Sequence, residues 1–188
     1  MKQLALVIAL SSFSAAALAA PETYNIEPTH TYPRFEYTHF GYSNQQQRFD
    51  KTSGKVVIDR AAKTGSVDVT IDATSVNTGY ALFNGHIQGA DYFDTAKYPA
   101  ITFKSTAVKF DGDKPVAVEG NLTIKGVTKP VTLTVTHFHS MPHPMLKKDA
   151  IGANAVTKVK RSEFNMGKNV PYVGDEVTLT IAVEAVKE

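Results

Sequence analysis

Histidine and methionine side chains are concentrated in one short segment of this chain. The segment 137–145 has the sequence H-F-H-S-M-P-H-P-M, with imidazoles at His137, His139 and His143. Residues i and i+2 of a strand face the same side, so His137 and His139 would present their rings together. Imidazoles with thioethers suit Cu(I), and imidazoles alone suit Zn or Cu(II). The two prolines favour an alternative, a solvated loop with incidental metal affinity, so these histidines are weak metal candidates.

Two of the three histidines outside this segment are candidates for ligand binding. His39 follows a predicted strand, and His86 lies in a segment with helical character. A polar side chain at the mouth of a binding cavity can orient a ligand head group by hydrogen bonding, so both are candidate ligand-binding residues. The alternative is that backbone partners satisfy each ring, as they do for most buried polar side chains.

The sequence carries few signatures of catalysis. Lys63-Thr64-Gly65 has the K-T-G pattern of β-lactamases, but neither S-x-x-K nor S-D-N accompanies it. G-x-S-x-G, H-E-x-x-H and glycine-rich phosphate loops are missing from the sequence, and a chain without cysteine cannot use a thiol nucleophile. We therefore expect a protein that is not an enzyme and has no cofactor.

Alternation of apolar and polar residues with a period of two dominates the chain from residue 23 onward. It places on one strand face Val67, Val69 and Ile71, then Val131, Leu133 and Val135, and later Val177, Leu179, Ile181, Val183 and Ala185. Glycine and aspartate turn signals separate such runs. Eight or nine strands at this spacing predict an all-β barrel or sandwich, and closure into a barrel would remove exposed sheet edges.

One segment interrupts the alternation. Residues 78–95 include Leu82, Phe83, Ile87, Tyr92 and Phe93 at spacings that favour a helix or helical turn. A single helix in a barrel usually covers an open end. We therefore expect a short helical cap.

The first nineteen residues have the plan of a secretory signal peptide. Lys2 is followed by an apolar run and by the A-x-A signal Ala17-Leu18-Ala19. We predict cleavage after residue 19, a mature domain over 20–188 and a periplasmic location. No later stretch is long and apolar enough for a membrane helix, so we expect no stable membrane insertion.

Charge is balanced along the chain. The formal net charge is +2, and like charges do not cluster in runs of five or more. A nucleic-acid-binding surface needs basic residues gathered on one face, so nucleic acid is not an expected partner.

Six segments, in chain order, carry motifs that together resemble a known family. They are Phe35–Ser43, Gly65–Gly79, Gly85–Asp94, Lys97–Ser105, Gly120–Val131 and Arg161–Met166. The fifth fits the pattern G-x-L-T-x-x-G-x-T-x-P-V, and the sixth fits R-S-x-F-x-M. The set is similar to the YceI-like family of periplasmic polyisoprenoid-binding proteins. Phe83-Asn84 stands where the family usually has Arg-Asp, and residues 137–148 have no counterpart in it.

The resemblance implies a lipocalin-like antiparallel β-barrel of about eight strands with a short helical cap. It also implies a long-chain isoprenoid lipid, of the quinone or polyprenyl phosphate type, held inside as by a periplasmic carrier or reservoir. A barrel of about eight strands independently has just enough interior for one ligand. The alternative function is a periplasmic Cu/Zn-binding protein that uses the His137–Met145 segment. Oligomeric state stays open, since a barrel with one uncovered face would allow a homodimer.

Large apolar side chains in the matched segments are the candidate walls of the lumen. The alternative for each is that it fills a solid core, as in many small barrels. The candidates are Phe35, Tyr37, Phe40, Leu82, Phe83, Ile87, Phe93, Phe103, Phe138, Phe164 and Met166.

Overall fold

The computed structural model describes residues 20–188, and the predicted signal peptide lies outside them. Eleven strands account for most of the described chain, with one α-helix, α1 (Ala81–Ile87), and two 3-10 turns, Ala73–Ser75 and Arg161–Phe164. No helix in this part of the chain has the length and apolarity needed to cross a membrane. The strands are β1 (Glu22–Ile26), β2 (Tyr32–His39), β3 (Ser43–Phe49), β4 (Thr52–Asp59), β5 (Thr64–Asp72), β6 (Val76–Asn77), β7 (Ala100–Asp111), β8 (Lys114–Ile124), β9 (Val127–Pro142), β10 (Asp149–Lys160) and β11 (Glu176–Lys187).

Eight of these strands close into an antiparallel barrel in the order β1-β4-β5-β7-β8-β9-β10-β11. Closure is made by β1 and β11, where Ile26 lies opposite Ala185 and Tyr24 lies opposite Lys187. β2 pairs with the part of β11 that precedes this contact. β3 pairs with β2, and β6 pairs with β3. The predicted all-β, lipocalin-like barrel of about eight strands is confirmed.

The hairpin between β8 and β9 shows how local sequence fixes the register. Lys125 and Gly126 both have positive φ, 50° and 74°. That pair of conformations is the one a two-residue type I′ turn requires, and its twist matches that of the flanking strands. Gly126 has a second reason to lack a side chain, because a Cβ there would lie 2.7 Å from the ring of Tyr98.

Helix α1 is shorter than the predicted helical segment and lies over one end of the barrel. Asn84 fixes the segment that leads into the helix, because its Oδ1 accepts hydrogen bonds from the Thr78 backbone N–H (2.8 Å) and from Thr78 Oγ1 (2.7 Å). Asn84 therefore has a structural role at the position where the resemblance leads one to expect an aspartate. On the inner side of the helix, Ile87 is buried in the core.

Candidate functional site

The inward faces of the barrel strands enclose one elongated cavity, here called the lumen. The alternating residues of β5, β9 and β11 all contribute to its wall, as the period-two pattern predicts. β11 alone contributes Val177, Leu179, Ile181, Val183 and Ala185. The lining is almost wholly aliphatic and aromatic, so the lumen offers an apolar environment along its length.

The lumen is hollow. Its volume is about 240 Å³, well above the roughly 150 Å³ of an engineered apolar cavity that stays dry and binds benzene. Inward-facing Val131, Leu133 and Val135 are half-buried, whereas outward neighbours such as Thr132 are exposed. Side chains in a solid core would lose nearly all accessible surface to their neighbours. The surface that these residues retain faces the void.

The lumen is also long. The five inward-facing residues of β11 run from Val177 to Ala185, which is about 27 Å of strand at about 3.4 Å per residue. With the usual strand tilt of about 35–45°, this corresponds to about 20 Å along the barrel axis. One leaflet of a bilayer has roughly 15 Å of hydrocarbon, half of a core of about 30 Å. The lumen therefore has the length of an extended lipid tail.

Three phenylalanines close the end of the lumen beneath α1. The ring centroids of Phe35, Phe49 and Phe93 lie 5.4–5.7 Å apart, and Phe93 meets each of the other two edge-on. Edge-to-face pairs of this kind add about 0.5–1.5 kcal/mol beyond burial. With Ile87 and Phe164 also buried there, this end is a packed apolar floor.

The structure brings seven of the predicted site residues together in the lumen wall. Their contact with a ligand stays a prediction. They lie on β2, on α1 and the turn after it, on β7 and β9, and in the 3-10 turn at Arg161–Phe164 or just after it. They are Phe35, Ile87, Phe93, Phe103, Phe138, Phe164 and Met166.

Phe40 and Leu82 do not line the lumen, so their predicted place in its wall is wrong. Leu82 is 75% exposed, because it lies about 140° around the helix from the inward-facing Ile87. Phe40 is 52% exposed, since the chain turns there with φ 51° and its ring stacks on Tyr172 outside the barrel. Large apolar side chains near a barrel end can serve either face, and the local turn decides which.

Tyr37 and Phe83 are half-buried and pack against the core without reaching the lumen. The two head-group candidates also lie outside it. His39 is exposed and meets the Phe40 ring at 4.6 Å, and His86 is exposed between Phe83 and Tyr92. The structure therefore gives neither histidine access to the lumen.

Most of the aliphatic residues in the lumen wall are absent from the predicted site residues, which are mainly large side chains in the matched motifs. Besides the alternating residues of β5, β9 and β11, the lumen is lined by Ile26, Ile58, Ile101, Leu122 and Ile124. The usable signal was alternation itself, because a residue two positions from a known inward residue also faces inward unless a bulge intervenes.

Two polar groups in the wall differ in how they are satisfied. Arg161 is buried, and its guanidinium donates to the carbonyl oxygens of Gly174 (2.8 Å), Val173 (2.7 Å), Lys168 (2.9 Å) and Met166. Burial lowers the pKa of Arg161, but the four carbonyls take four of its five N–H donors. Arg161 thus anchors the segment before β11 and leaves little for a ligand.

Thr52 is the contrasting case. It lines the lumen and is 4% exposed, and its Oγ1 has no hydrogen-bond partner among residues 20–188. A buried hydroxyl without a partner costs about 1–3 kcal/mol. Thr52 Oγ1 is therefore a buried hydroxyl without a partner in the barrel wall, and it has almost no surface facing the lumen.

The three metal candidates lie on the outside of the barrel. His137 and His139 both face outward and are exposed, while Phe138 between them points into the lumen. The prediction that these two rings face the same side of the strand is confirmed. His143 instead closes a turn, since its Nδ1 accepts the backbone N–H groups of Met145 and Leu146 at 3.2 Å each.

Comparisons with known proteins agree with this architecture. A model of the YceI-like domain matches residues 24–185. Protein YceI of Escherichia coli O157:H7 is 38% identical over 187 residues, covering 98% of this chain and 97% of that protein. The crystal structure of Burkholderia cenocepacia BcnA has a TM-score of 0.71 at 29% identity, covering 85% of this chain and 99% of that one.

A more distant structure shares the fold. It is that of a polyisoprenoid binding domain from Saccharophagus degradans implicated in plant cell wall breakdown, with a TM-score of 0.66 at 19% identity, covering 88% of this chain and 98% of that one. The closed eight-stranded barrel, its apolar lumen and the match over nearly all of the described residues lead to one conclusion. The chain belongs to the YceI-like domain family.

Proposed function

We propose that this protein binds a long-chain isoprenoid lipid, of the quinone or polyprenyl phosphate type, in its lumen and acts as a periplasmic carrier or reservoir. The observation that carries the proposal is the lumen itself, an apolar void of about 240 Å³ walled by residues of every barrel strand. The polyisoprenoid binding of the Saccharophagus degradans domain, which shares the fold, supports the same class of ligand.

The composition of the wall favours binding over catalysis. Polar side chains contribute little to it, and the buried Arg161 already donates to four carbonyls. General acid–base or nucleophilic catalysis needs a positioned pair of reactive groups within hydrogen-bond reach of the substrate. The lumen wall, as the structure describes it, presents no such pair.

Energetics explain why a lipid would be retained. Burial of one CH₂ contributes roughly 0.8 kcal/mol, so a five-carbon isoprene unit contributes about 3–4 kcal/mol. Several units would nominally exceed the ceiling of roughly 18–21 kcal/mol on non-covalent affinity. Ordering of the chain and incomplete burial offset much of this. A few buried units nevertheless suffice for tight retention.

The site of action follows from the predicted leader. A signal peptide over residues 1–19 would deliver the mature domain to the periplasm, where a lipid tail needs shelter from water between membranes. Because the lumen encloses the tail, the loaded protein would expose no more apolar surface than the empty one.

The test is to identify the lipid directly. The chain is expressed with its own leader, isolated from the periplasmic fraction without detergent, extracted with organic solvent and analysed by mass spectrometry. We expect a prenyl lipid at about one molecule per protein. Protein that repeatedly yields no long apolar molecule at any stoichiometry would refute the proposal.

A further inference from the structure

A concave surface on the outside of the barrel gathers four of the six histidines of this protein. This surface, here called the outer groove, crosses β9, β10 and β11 and is lined by His30, His137, His139, His143 and Glu184. Its floor is the other side of the lumen wall, but none of these side chains reaches the lumen. The outer groove is therefore a separate site from the proposed lipid cavity.

A glycine opens the groove. In the sheet register, His139 of β9 lies opposite Gly152 of β10, which in turn lies opposite Glu184 of β11. The three residues form one row, and His139 and Glu184 are two strand spacings apart, about 10 Å between backbones. A Cβ at Gly152 would find its nearest neighbour at 3.9 Å, the Val183 carbonyl oxygen. The space between the two side chains is therefore unfilled.

At one wall of the groove, His30 and Glu184 form a compact cluster of potential metal ligands with the neighbouring Glu27. Glu27, His30 and Glu184 each offer one ligand atom, and these three atoms lie within 4.8 Å of one another. His30 Nδ1 is 2.7 Å from Glu27 Oε2. Neither carboxylate forms an ion pair with a lysine or arginine among residues 20–188, so two negative groups share a single imidazole. A divalent cation would balance this charge.

The cluster is held in place by the backbone. The Glu27 carboxylate accepts hydrogen bonds from the backbone N–H groups of Thr29 (3.0 Å) and His30 (2.9 Å). The Glu27 backbone N–H donates to the Glu184 carbonyl oxygen at 2.9 Å, and Thr31 Oγ1 bonds both the N–H and the carbonyl of Glu184. The loop between β1 and β2 is thus clipped to β11 at Glu184, which preorganises the ligand atoms.

We propose that Glu27, His30 and Glu184 form a binding site for a divalent transition metal ion of the Zn²⁺ or Cu²⁺ type, with His139 as a fourth ligand from the opposite wall. Imidazole and carboxylate ligands suit these ions, which bind at about 2.0–2.2 Å. Two such ligands of a tetrahedral ion are about 3.4 Å apart. The metal takes the place of the proton between His30 Nδ1 and Glu27 Oε2, and these two atoms move apart by about 0.7 Å.

This site differs from the one that the His137–Met145 segment predicts. His143 Nδ1 accepts two backbone N–H groups, so the ring proton belongs on Nε2 and neither nitrogen has a free lone pair. The segment contributes His139, while the main ligands come from the β1–β2 loop and β11. In the sequence, the loop precedes the segment by more than a hundred residues, and Glu184 follows it by about forty.

The experiment is a Zn²⁺ titration of the tag-free mature protein, in competition with a chromogenic chelator, and the same titration with Cu²⁺. We expect one ion per protein and a loss of affinity of at least about tenfold in His30→Ala and Glu184→Gln, since even changes around metal ligands cost about 10–100-fold. His139→Ala is expected to show a smaller loss. His39→Ala, an exposed histidine outside the groove, serves as the matched control and should bind like the parent protein.

Three results would overturn the site. One is no stoichiometric binding by the parent protein. Another is full affinity in both His30→Ala and Glu184→Gln. The third is a loss confined to His137→Ala and His143→Ala, which would assign the ion to the β9 segment alone. Circular dichroism of each variant and its lipid content show that folding and the lumen are intact, so a failed metal site is distinguishable from a failed lipid proposal.

Discussion

The ring of Phe103 lies directly over Gly120 on the neighbouring strand. A Cβ at Gly120 would lie 2.5 Å from Phe103 Cζ and 2.6 Å from the Lys104 carbonyl oxygen. The first contact could be relieved by moving a side chain, but the second is with backbone. The glycine therefore lets β7 and β8 approach closely while Phe103 lies flat against the wall and leaves the lumen open.

Gly120→Ala should destabilise the protein. Overpacking of this kind typically costs about 1–3 kcal/mol, and the displaced Phe103 ring would enter the lumen. Urea unfolding measures the change in the free energy of unfolding. Gly85→Ala is the control, because a Cβ there meets nothing within 4 Å in α1 and alanine favours a helix by up to about 1 kcal/mol. Equal stability of Gly120→Ala and the parent would show that the strands can separate at no cost.

Leu133→Trp should block lipid binding. Leu133 faces the lumen from β9, so an indole there occupies space that the tail needs. Loss of one buried isoprene unit removes about 3–4 kcal/mol, so retention should fall at least about tenfold. Thr132→Trp is the matched control on the outer face of the same strand. Mass spectrometry of extracted lipid compares the two, and equal lipid content would place the ligand elsewhere.

Thr52→Val should stabilise the lipid-free protein. The unpartnered hydroxyl costs about 1–3 kcal/mol, which an isosteric valine removes. Thermal unfolding of lipid-extracted protein measures the effect. Thr31→Val is the control and should destabilise, since its hydroxyl already bonds Glu184. Destabilisation by Thr52→Val as well would mean that its hydroxyl has a partner.

Glu27 should contribute to stability above mildly acidic pH. Desolvation raises the pKa of its carboxyl, but hydrogen bonds from Thr29 and His30 outweigh this and hold it at about 2. A depressed pKa in the folded state gives stability that is present above the ordinary value near 4.5 and is lost as pH falls from there towards 2. Glu27→Gln should therefore be less stable than the parent at pH 7, with the difference vanishing near pH 2.

Unfolding in urea at a series of pH values, with EDTA present to exclude metal effects, measures this difference. Glu36→Gln is the control, because Glu36 lies within β2 and takes no part in the β1–β2 loop. A constant difference between Glu27→Gln and the parent over this range would show that the hydrogen bonds do not depend on the charge.

The sequence alone was enough for the strand pattern and the class of fold. Alternation assigned the inward faces of β5, β9 and β11, because side chains on a strand must point to opposite sides. Motifs such as Gly120–Val131 supplied the family. Both features are local, so they could be recognised without knowing which strands are neighbours.

Which potential metal ligands come together was decided by the tertiary structure. Glu27, His30 and Glu184 are brought together only because β1 closes the barrel against β11. No local pattern in a single segment connects residues separated by most of the chain.

The tertiary structure also determines which face of β9 carries each of its histidines. Strict alternation from Val131 to Val135 would put His137 and His139 inside the lumen. The register of β9 on β10 instead shifts between Asn154 and Ala155, so Thr136 is the extra residue of a bulge. From there His137 and His139 face outward and Phe138 faces inward. A bulge reverses the faces of all later residues, and its place depends on the partner strand, which the sequence of β9 does not contain.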